Sequence, residues 1–356
     1  MPSAPTTIAA TERPKSLRKW IVRLAPYLIT TVVVALLLRE YPVERIVAQM
    51  LHGTWGWLVP TSLAGVLLSL LAVSAADTLV VRAVCGNARY WDLLRAKAAS
   101  SLLDIIGYAA GHGAYGVWFA RFTGARAGLA GGALLYIMAG DLLSVCMVAT
   151  VSVWGFGLEV GDTVRWLPVG IAALLTVFLA IGPYEKLQTD PPIQVFRPWA
   201  IVPRRIGFAQ IAIRMTQMVM WVTVTWIAMR AFGIPVPWTA CLAYVPLVML
   251  VGSLPINVGG LGAVQAVWLL FTPWARGEQI LAFAFLWFMM NAGAVALRGL
   301  PFVKRFVAEV AVARASSALD DGDGRVERVA VVAVDEDLTQ TEISQGRDGD
   351  VDTVRT

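Results

Sequence analysis

The feature that most constrains this chain is a succession of long apolar runs separated by short polar stretches. A first run, Leu24–Leu38, follows a polar, basic segment at 1–23 and ends in Arg39-Glu40-Tyr41-Pro42. Further runs lie near 56–76, 129–153, 166–184, 208–230 and 279–299. Each holds about 18 to 25 residues, enough for a helix to cross a hydrocarbon core of about 30 Å. Composition agrees: 58% of the 356 residues are hydrophobic and only 15% are charged, where a soluble domain carries roughly 25%. The mean hydropathy is +0.67. Such a chain cannot cover a water-facing surface, so an ordinary soluble enzyme is excluded, as is disorder over most of the length. The first run lacks a small-residue cleavage site and reads as an uncleaved transmembrane helix. Trp and Tyr at run ends, such as Trp57, Trp154, Trp166 and Trp238, suit an interfacial belt.

Two further apolar stretches are interrupted. Residues 101–119 read SLLDIIGYAAGHGAYGVWF, and 239–272 read TACLAYVPLVMLVGSLPINVGGLGAVQAVWLLFT. Glycine, and in the second Pro255, disfavour a helix interior. Unwound backbone at membrane depth is tolerated only inside protein or beside a wet cavity. Both stretches therefore read as broken or re-entrant helix pairs. The expected fold is an all-α polytopic membrane protein with six full transmembrane helices and two broken segments.

Loop charge gives the orientation. Five Lys/Arg precede the first run, and the loops after the second and fourth runs carry Arg82, Arg89, Arg95 and Lys97, then Lys186, Arg197, Arg204 and Arg205. The alternate loops are poorer in basic residues. The positive-inside rule places both termini in the cytoplasm. The order helix, helix, broken segment, helix occurs at about 24–153 and again at about 166–299, the first half starting inside and the second outside. This order admits an inverted repeat, in which interrupted helices at matching places mark a binding site.

Several residues could carry chemistry. Asp141 lies mid-run in LYIMAGDLLSVCM, where a carboxylate costs several kcal/mol unless paired or wetted. Arg214 lies in FAQIAIRMTQMVM with Gln210 and Gln217 at helical spacing; its guanidinium suits a phosphate, snorkelling to the interface, or a pair with Asp141. His112, in GHG, can titrate, meet a phosphate or bond to local backbone. Around Asn257, Gly259, Gly260 and Gly262 the backbone is bare, and a helix resuming near Gly262 would aim its N–H groups at the break, with Asn257 and Gln265 as neutral donors. Asp104 reads as a helix N-cap and Arg298 as a snorkelling residue.

Catalysis finds little material. There are two histidines, His52 and His112, and three dispersed cysteines, with no CxxC, HExxH or GxSxG, so no metal site, cofactor or catalytic set is indicated. From Ala315 onward eleven Asp/Glu face four Lys/Arg, leaving 25 Lys/Arg and 13 Asp/Glu upstream. The 315–356 segment reads as an acidic, mostly disordered tail suited to a protein partner, with VERVAVVAV as a short strand or docking motif. The basic body suits anionic headgroups; its charges are scattered, which does not suit nucleic acid.

PINVGGLGAVQA and the apolar run after it resemble the glycine-rich motif of the flippase-like, lysylphosphatidylglycerol synthase transmembrane family. GHGAYGVWFARFTG, followed about a dozen residues later by the run with Asp141, resembles that family's other segment, and AFGIPVP fits its spacing. The resemblance covers about 20–310, and Asp141, Arg121, Gly124, Gly259, Gly260 and Gly262 match. It implies a 24–314 membrane domain in an inner membrane that handles anionic or lipid-linked headgroups. Arg121 joins the expected lipid-binding residues on this ground. Gln265 stands where the family often has an acid, which suits a less charged lipid. About 57 residues follow Gly299, too few for the family's soluble aminoacyl-transferase domain, so that synthase activity is not expected. Three readings follow: a lipid flippase-like carrier, a scaffold of a lipid- or glycan-synthesis complex, and, with least support, a membrane-embedded lipid transferase.

Overall fold

The computed structural model describes residues 16–53, 55–86, 88–105, 108–156, 161–181, 195–253 and 262–320. Among them it is helical with no strand. Two units are distinguished, Met1–Val303 and Lys304–Thr356. In the second, residues 304–320 continue a helix in which Arg305 pairs with Glu309 at 2.7 Å, one turn apart. The tail motif VERVAVVAV lies outside the described residues.

The first unit contains α1 (Ser16–Glu40), α2 (Val43–His52), α3 (Trp55–Cys85), α4 (Tyr90–Asp104), α5 (Tyr108–Phe122), α6 (Ala127–Gly155), α7 (Asp162–Ile181), α8 (Arg197–Ile201), α9 (Arg204–Ala231), α10 (Trp238–Ser253), α11 (Ala263–Trp268) and most of α12 (Gly277–Asp320). Among the described residues four helices are long and apolar enough to cross a membrane: Gly56–Cys85, Ala127–Gly155, Arg204–Ala231 and Gly277–Val310. The two remaining expected spans are also helices: α1 runs for 25 residues, and α7 has a shorter apolar stretch, Arg165–Leu179. Large apolar side chains on these helices face outward, among them Leu67, Leu71, Leu135, Leu174 and Leu297, as lipid-facing surfaces require. Trp57, Trp91, Trp154 and Trp166 are exposed near helix ends. Trp154 and Trp166 meet edge-on across the α6–α7 connection, with the Arg165 guanidinium 4.1 Å from the Trp154 ring centre.

Both interrupted stretches form antiparallel hairpins. In the first, Asp104 of α4 faces His112 of α5 and Lys97 faces both His112 and Tyr115. In the second, Gly252 of α10 approaches Val264 of α11, and Tyr244 packs on Phe271 and Trp274. Each arm of the first hairpin has 15 residues, about 22 Å at 1.5 Å per residue, too short to cross the core alone. α4 ends at Asp104 and α5 starts at Tyr108, so GHG lies inside a helix. Gly111, His112 and Gly113 are helical, because close approach rather than unwinding uses the glycine: a Cβ at Gly111 would overlap the Asp104 carboxylate. α10 ends at Ser253 and α11 starts at Ala263; residues 254–261, with Pro255 and the glycines expected to break the second stretch, lie outside the described residues.

Helix directions follow from the contacts. α3 and α9 run antiparallel: Gly65 faces Val224, Ser69 meets Gln217 and Asp77 meets Arg214. α6 runs parallel to α9, with Tyr136 against Gly207 and Ile137 bonded to Gln210. α12 runs parallel to α3, since Ser62 donates to Asn291 and Arg298 to the Val66 carbonyl. The end of α1 meets the start of α12 through Tyr41 and Gly277. The core gathers around α10, buried on every side from Ala240 to Val248, as expected of a helix apolar all round. Phe271, Phe283, Trp268 and Trp287 pack beside it.

Gly299 brings α12 against the first hairpin: a Cβ there would come within 2.6 Å of the Ala98 carbonyl and 2.8 Å of Leu102. Gly299→Val should therefore destabilise the protein by about 1–3 kcal/mol through overpacking, seen as a lower melting temperature in detergent. An unchanged melting temperature would mean that α12 does not pack on α4.

Candidate functional site

Three spanning helices meet around one arginine. Arg214 Nη2 donates to Asp77 Oδ1 at 2.5 Å and Nη1 to Asp141 Oδ1 at 2.8 Å. Arg214 lies about 15 Å from the start of α9, Asp141 about 21 Å into α6, and Asp77 about 12 Å from the end of α3. The side chains of Asp77 and Arg214 are 0% and 4% exposed, that of Asp141 28%. A charge at this depth is tolerated only when paired, and the planar fork lets one arginine serve two carboxylates on different helices. The neighbouring glutamines extend the seam. Gln210 donates to the Ile137 carbonyl at 3.2 Å and Gln217 to Ser69 Oγ at 2.9 Å.

A second cluster lies in the first hairpin. His112 is 8% exposed and lies between two charged groups: Nδ1 is 3.3 Å from Asp104 Oδ1, and Nε2 is 3.3 Å from Lys97 Nζ. Lys97 is also 8% exposed, with Nζ 4.9 Å from the Tyr115 ring centre. Tyr115 joins the clusters. It is 1% exposed, and its hydroxyl lies beside the Asp77 carboxylate without forming a hydrogen bond of ordinary geometry. Arg298 closes the other side, donating to the Val66 carbonyl at 2.6 Å and to Ser101 Oγ at 3.2 Å, close enough to Asp104 to feel its charge.

The sequence-predicted residues divide as follows. Asp141 and Arg214 are brought together, and the arginine holds two carboxylates rather than reaching the interface. His112 binds side chains, Lys97 and Asp104. Asp104 is the last residue of α4, not an N-cap; its carboxylate is held by the ring of the next helix. Arg298 does not snorkel, because two acceptors hold it among α3 and α4. Arg121 lies in the last turn of α5, nine residues beyond His112. Gly262 caps α11 with φ +102°, and a Cβ there would meet the Thr30 backbone of α1 at 3.1 Å. Gln265 is 0% exposed, its amide without a hydrogen-bond partner among the described residues. Asn257, Gly259 and Gly260 lie outside the described residues. The helix resumes at Ala263, directly after Gly262, and runs for six residues to Trp268.

Sequence reasoning missed Asp77 and Lys97. Asp77 sits one residue past the end assigned to the second apolar run, although TLVV continues it. Lys97 was counted as a loop charge, yet it lies seven residues before Asp104, two helical turns along one face. Among the described residues no three His, Cys, Asp or Glu gather as metal ligands. No protein-family model matches the chain, and no curated protein matches it.

Removing the arginine should leave two buried carboxylates facing each other. Arg214→Met is expected to cost about 3–5 kcal/mol. The triple variant Asp77→Leu, Asp141→Leu, Arg214→Met should regain most of that, because an apolar replacement removes the unpaired charges. Melting temperatures of the purified variants decide this, and equal losses in both would show that the three charges do not compensate one another.

Proposed function

We propose that this chain is a divergent member of the flippase-like, lysylphosphatidylglycerol synthase transmembrane family, and that it binds and translocates a lipid or lipid-linked headgroup across an inner membrane. The single observation that carries the reading is the continuous charged seam within the helix bundle. Asp141, Arg214, Asp77, Tyr115, Lys97 and His112 link three spans to a hairpin that is too short to cross. Charge at this depth is costly, and in membrane proteins it typically lines the path of a polar cargo. The Asp141 side chain is the most exposed of the triad and provides the surface a headgroup meets.

The helix directions support two inverted halves. α1, α2, α3, the α4–α5 hairpin and α6 form one half; α7, α8, α9, the α10–α11 hairpin and α12 form the other. Their second long helices, α3 and α9, pair antiparallel, as inverted equivalents would. The two hairpins then enter from opposite faces, and the positive-inside rule favours a cytoplasmic side where α1 begins. Relative rocking of the halves gives alternating access.

Arg214 acts in this scheme as the counter-ion that holds Asp77 and Asp141, rather than as the phosphate clamp. Reconstituted in liposomes with short-chain fluorescent lipids, the protein should exchange lipid between leaflets faster than empty liposomes. Asp141→Asn should slow that exchange by about 10–100-fold, the equivalent of one lost charge-assisted hydrogen bond, while Arg214 keeps Asp77 and the fold persists. Exchange no faster than in empty liposomes, across several lipid classes, would remove the carrier reading. A scaffold would instead lose its partner when 315–356 is deleted.

A further inference from the structure

We propose that His112 is the binding site for a coupling proton, and that proton uptake at Nε2 displaces the Lys97 ammonium toward Asp77. The term coupling rests on the carrier reading; the displacement does not.

The argument starts from donors and acceptors. An ammonium has three donors and no acceptor, and a neutral imidazole has one of each. Lys97 Nζ lies 3.3 Å from Nε2, and Asp104 Oδ1 lies 3.3 Å from Nδ1. With a charged lysine the contact is satisfied in one way: Nε2 accepts from Lys97, which leaves the ring hydrogen on Nδ1, where the Asp104 carboxylate lies 3.3 Å away as a charge contact rather than a hydrogen bond. A proton arriving at Nε2 turns that acceptor into a donor and places an imidazolium against the ammonium. The Nζ–H···Nε2 bond is then lost, and Lys97 leaves with its charge. Asp104, 3.3 Å from Nδ1, balances the new cation.

The destination of Lys97 is already in place. Its Nζ lies over the Tyr115 ring at 4.9 Å, and the Tyr115 hydroxyl lies beside Asp77. Both that hydroxyl and Asp77 Oδ2 are buried without a hydrogen-bond partner among the described residues. Burying such atoms unpaired costs about 1–3 kcal/mol each. A lysine moving along the ring satisfies them and brings a second cation to a triad in which one arginine serves two carboxylates. Arg214 then no longer needs both, and Asp141, the exposed partner, is the one it can release. The other charged groups facing this region are Arg298 of α12, which shares the Asp104 charge and works against a new cation, and Arg214, which lies near Tyr115. One proton taken up in the hairpin thereby frees a carboxylate on α6.

The chain has two histidines, and His52 on α2 is exposed, so 15N NMR in lipid nanodiscs of protein labelled at histidine and lysine reads His112 against an internal reference. While its ring is neutral His112 should be the Nδ1–H tautomer. When the ring becomes doubly protonated the 15N signal of Lys97 should move with it. A neutral Nε2–H ring at His112, or a ring that takes up a proton while the Lys97 signal stays fixed, overturns the proposal.

Coupling is read separately in liposomes. A sustained gradient of one pH unit should drive about tenfold leaflet asymmetry of the transported lipid for one proton per lipid, and His112→Gln should abolish that asymmetry. Wild-type exchange indifferent to the gradient overturns coupling. If there is no exchange but His112 and Lys97 respond as stated, the carrier reading falls and the proton site stands.

Discussion

Hydrocarbon does not tolerate an unpaired charge, and the arrangement of this bundle follows from that. Arg214 is held by Asp77 from α3 and Asp141 from α6, so three helices far apart in sequence are pinned at one depth. Apolar packing alone would leave their rotation and register loose, since lipid tails are as apolar as leucine. The ion triad, with Gln210 bonded to α6 and Gln217 to α3, gives the seam a definite register. Small residues let the helices approach closely: Gly140 lies against Gln210, Gly207 against the Tyr136 hydroxyl and Gly65 against Val224.

Much of this fold was legible in the sequence because lipid makes simple demands. A run of apolar residues long enough to cross must form a helix, and four of the runs assigned from the sequence lie in helices long and apolar enough to do so among the described residues. The interruptions were also legible, but their placement was not. Glycine marks unwinding and close approach alike, and only the neighbour distinguishes them. Gly111 is helical because the Asp104 carboxylate occupies the space a Cβ would need, whereas Gly262, at φ +102°, does cap a break.

The candidate site was half legible. Asp141 and Arg214 announce themselves as lone charges inside apolar runs. Asp77, Lys97 and Arg298 did not, because each lies where a run meets a polar stretch, and a positional rule assigns such charges to loops or to the interface. What separates a snorkelling cation from a buried one is whether acceptors lie deeper than the headgroups. Arg298 finds the Val66 carbonyl and Ser101, and Lys97 finds the His112 ring. Those partners come from other helices, so no single segment reveals them.

The six charges form a balanced set: Arg214, Lys97 and Arg298 against Asp77, Asp141 and Asp104. The balance is not local. Around Arg214 the acids exceed the bases by one; in the hairpin and beside it Lys97 and Arg298 exceed Asp104 by one. Tyr115 stands between the two regions, with Lys97 over its ring and Asp77 beside its hydroxyl. A network balanced only as a whole can move charge internally without importing any, and such rearrangement is cheap compared with burying a new ion. One surplus acid next to one surplus base, separated by a single aromatic ring, stores a dipole. A small displacement of one lysine would cancel it.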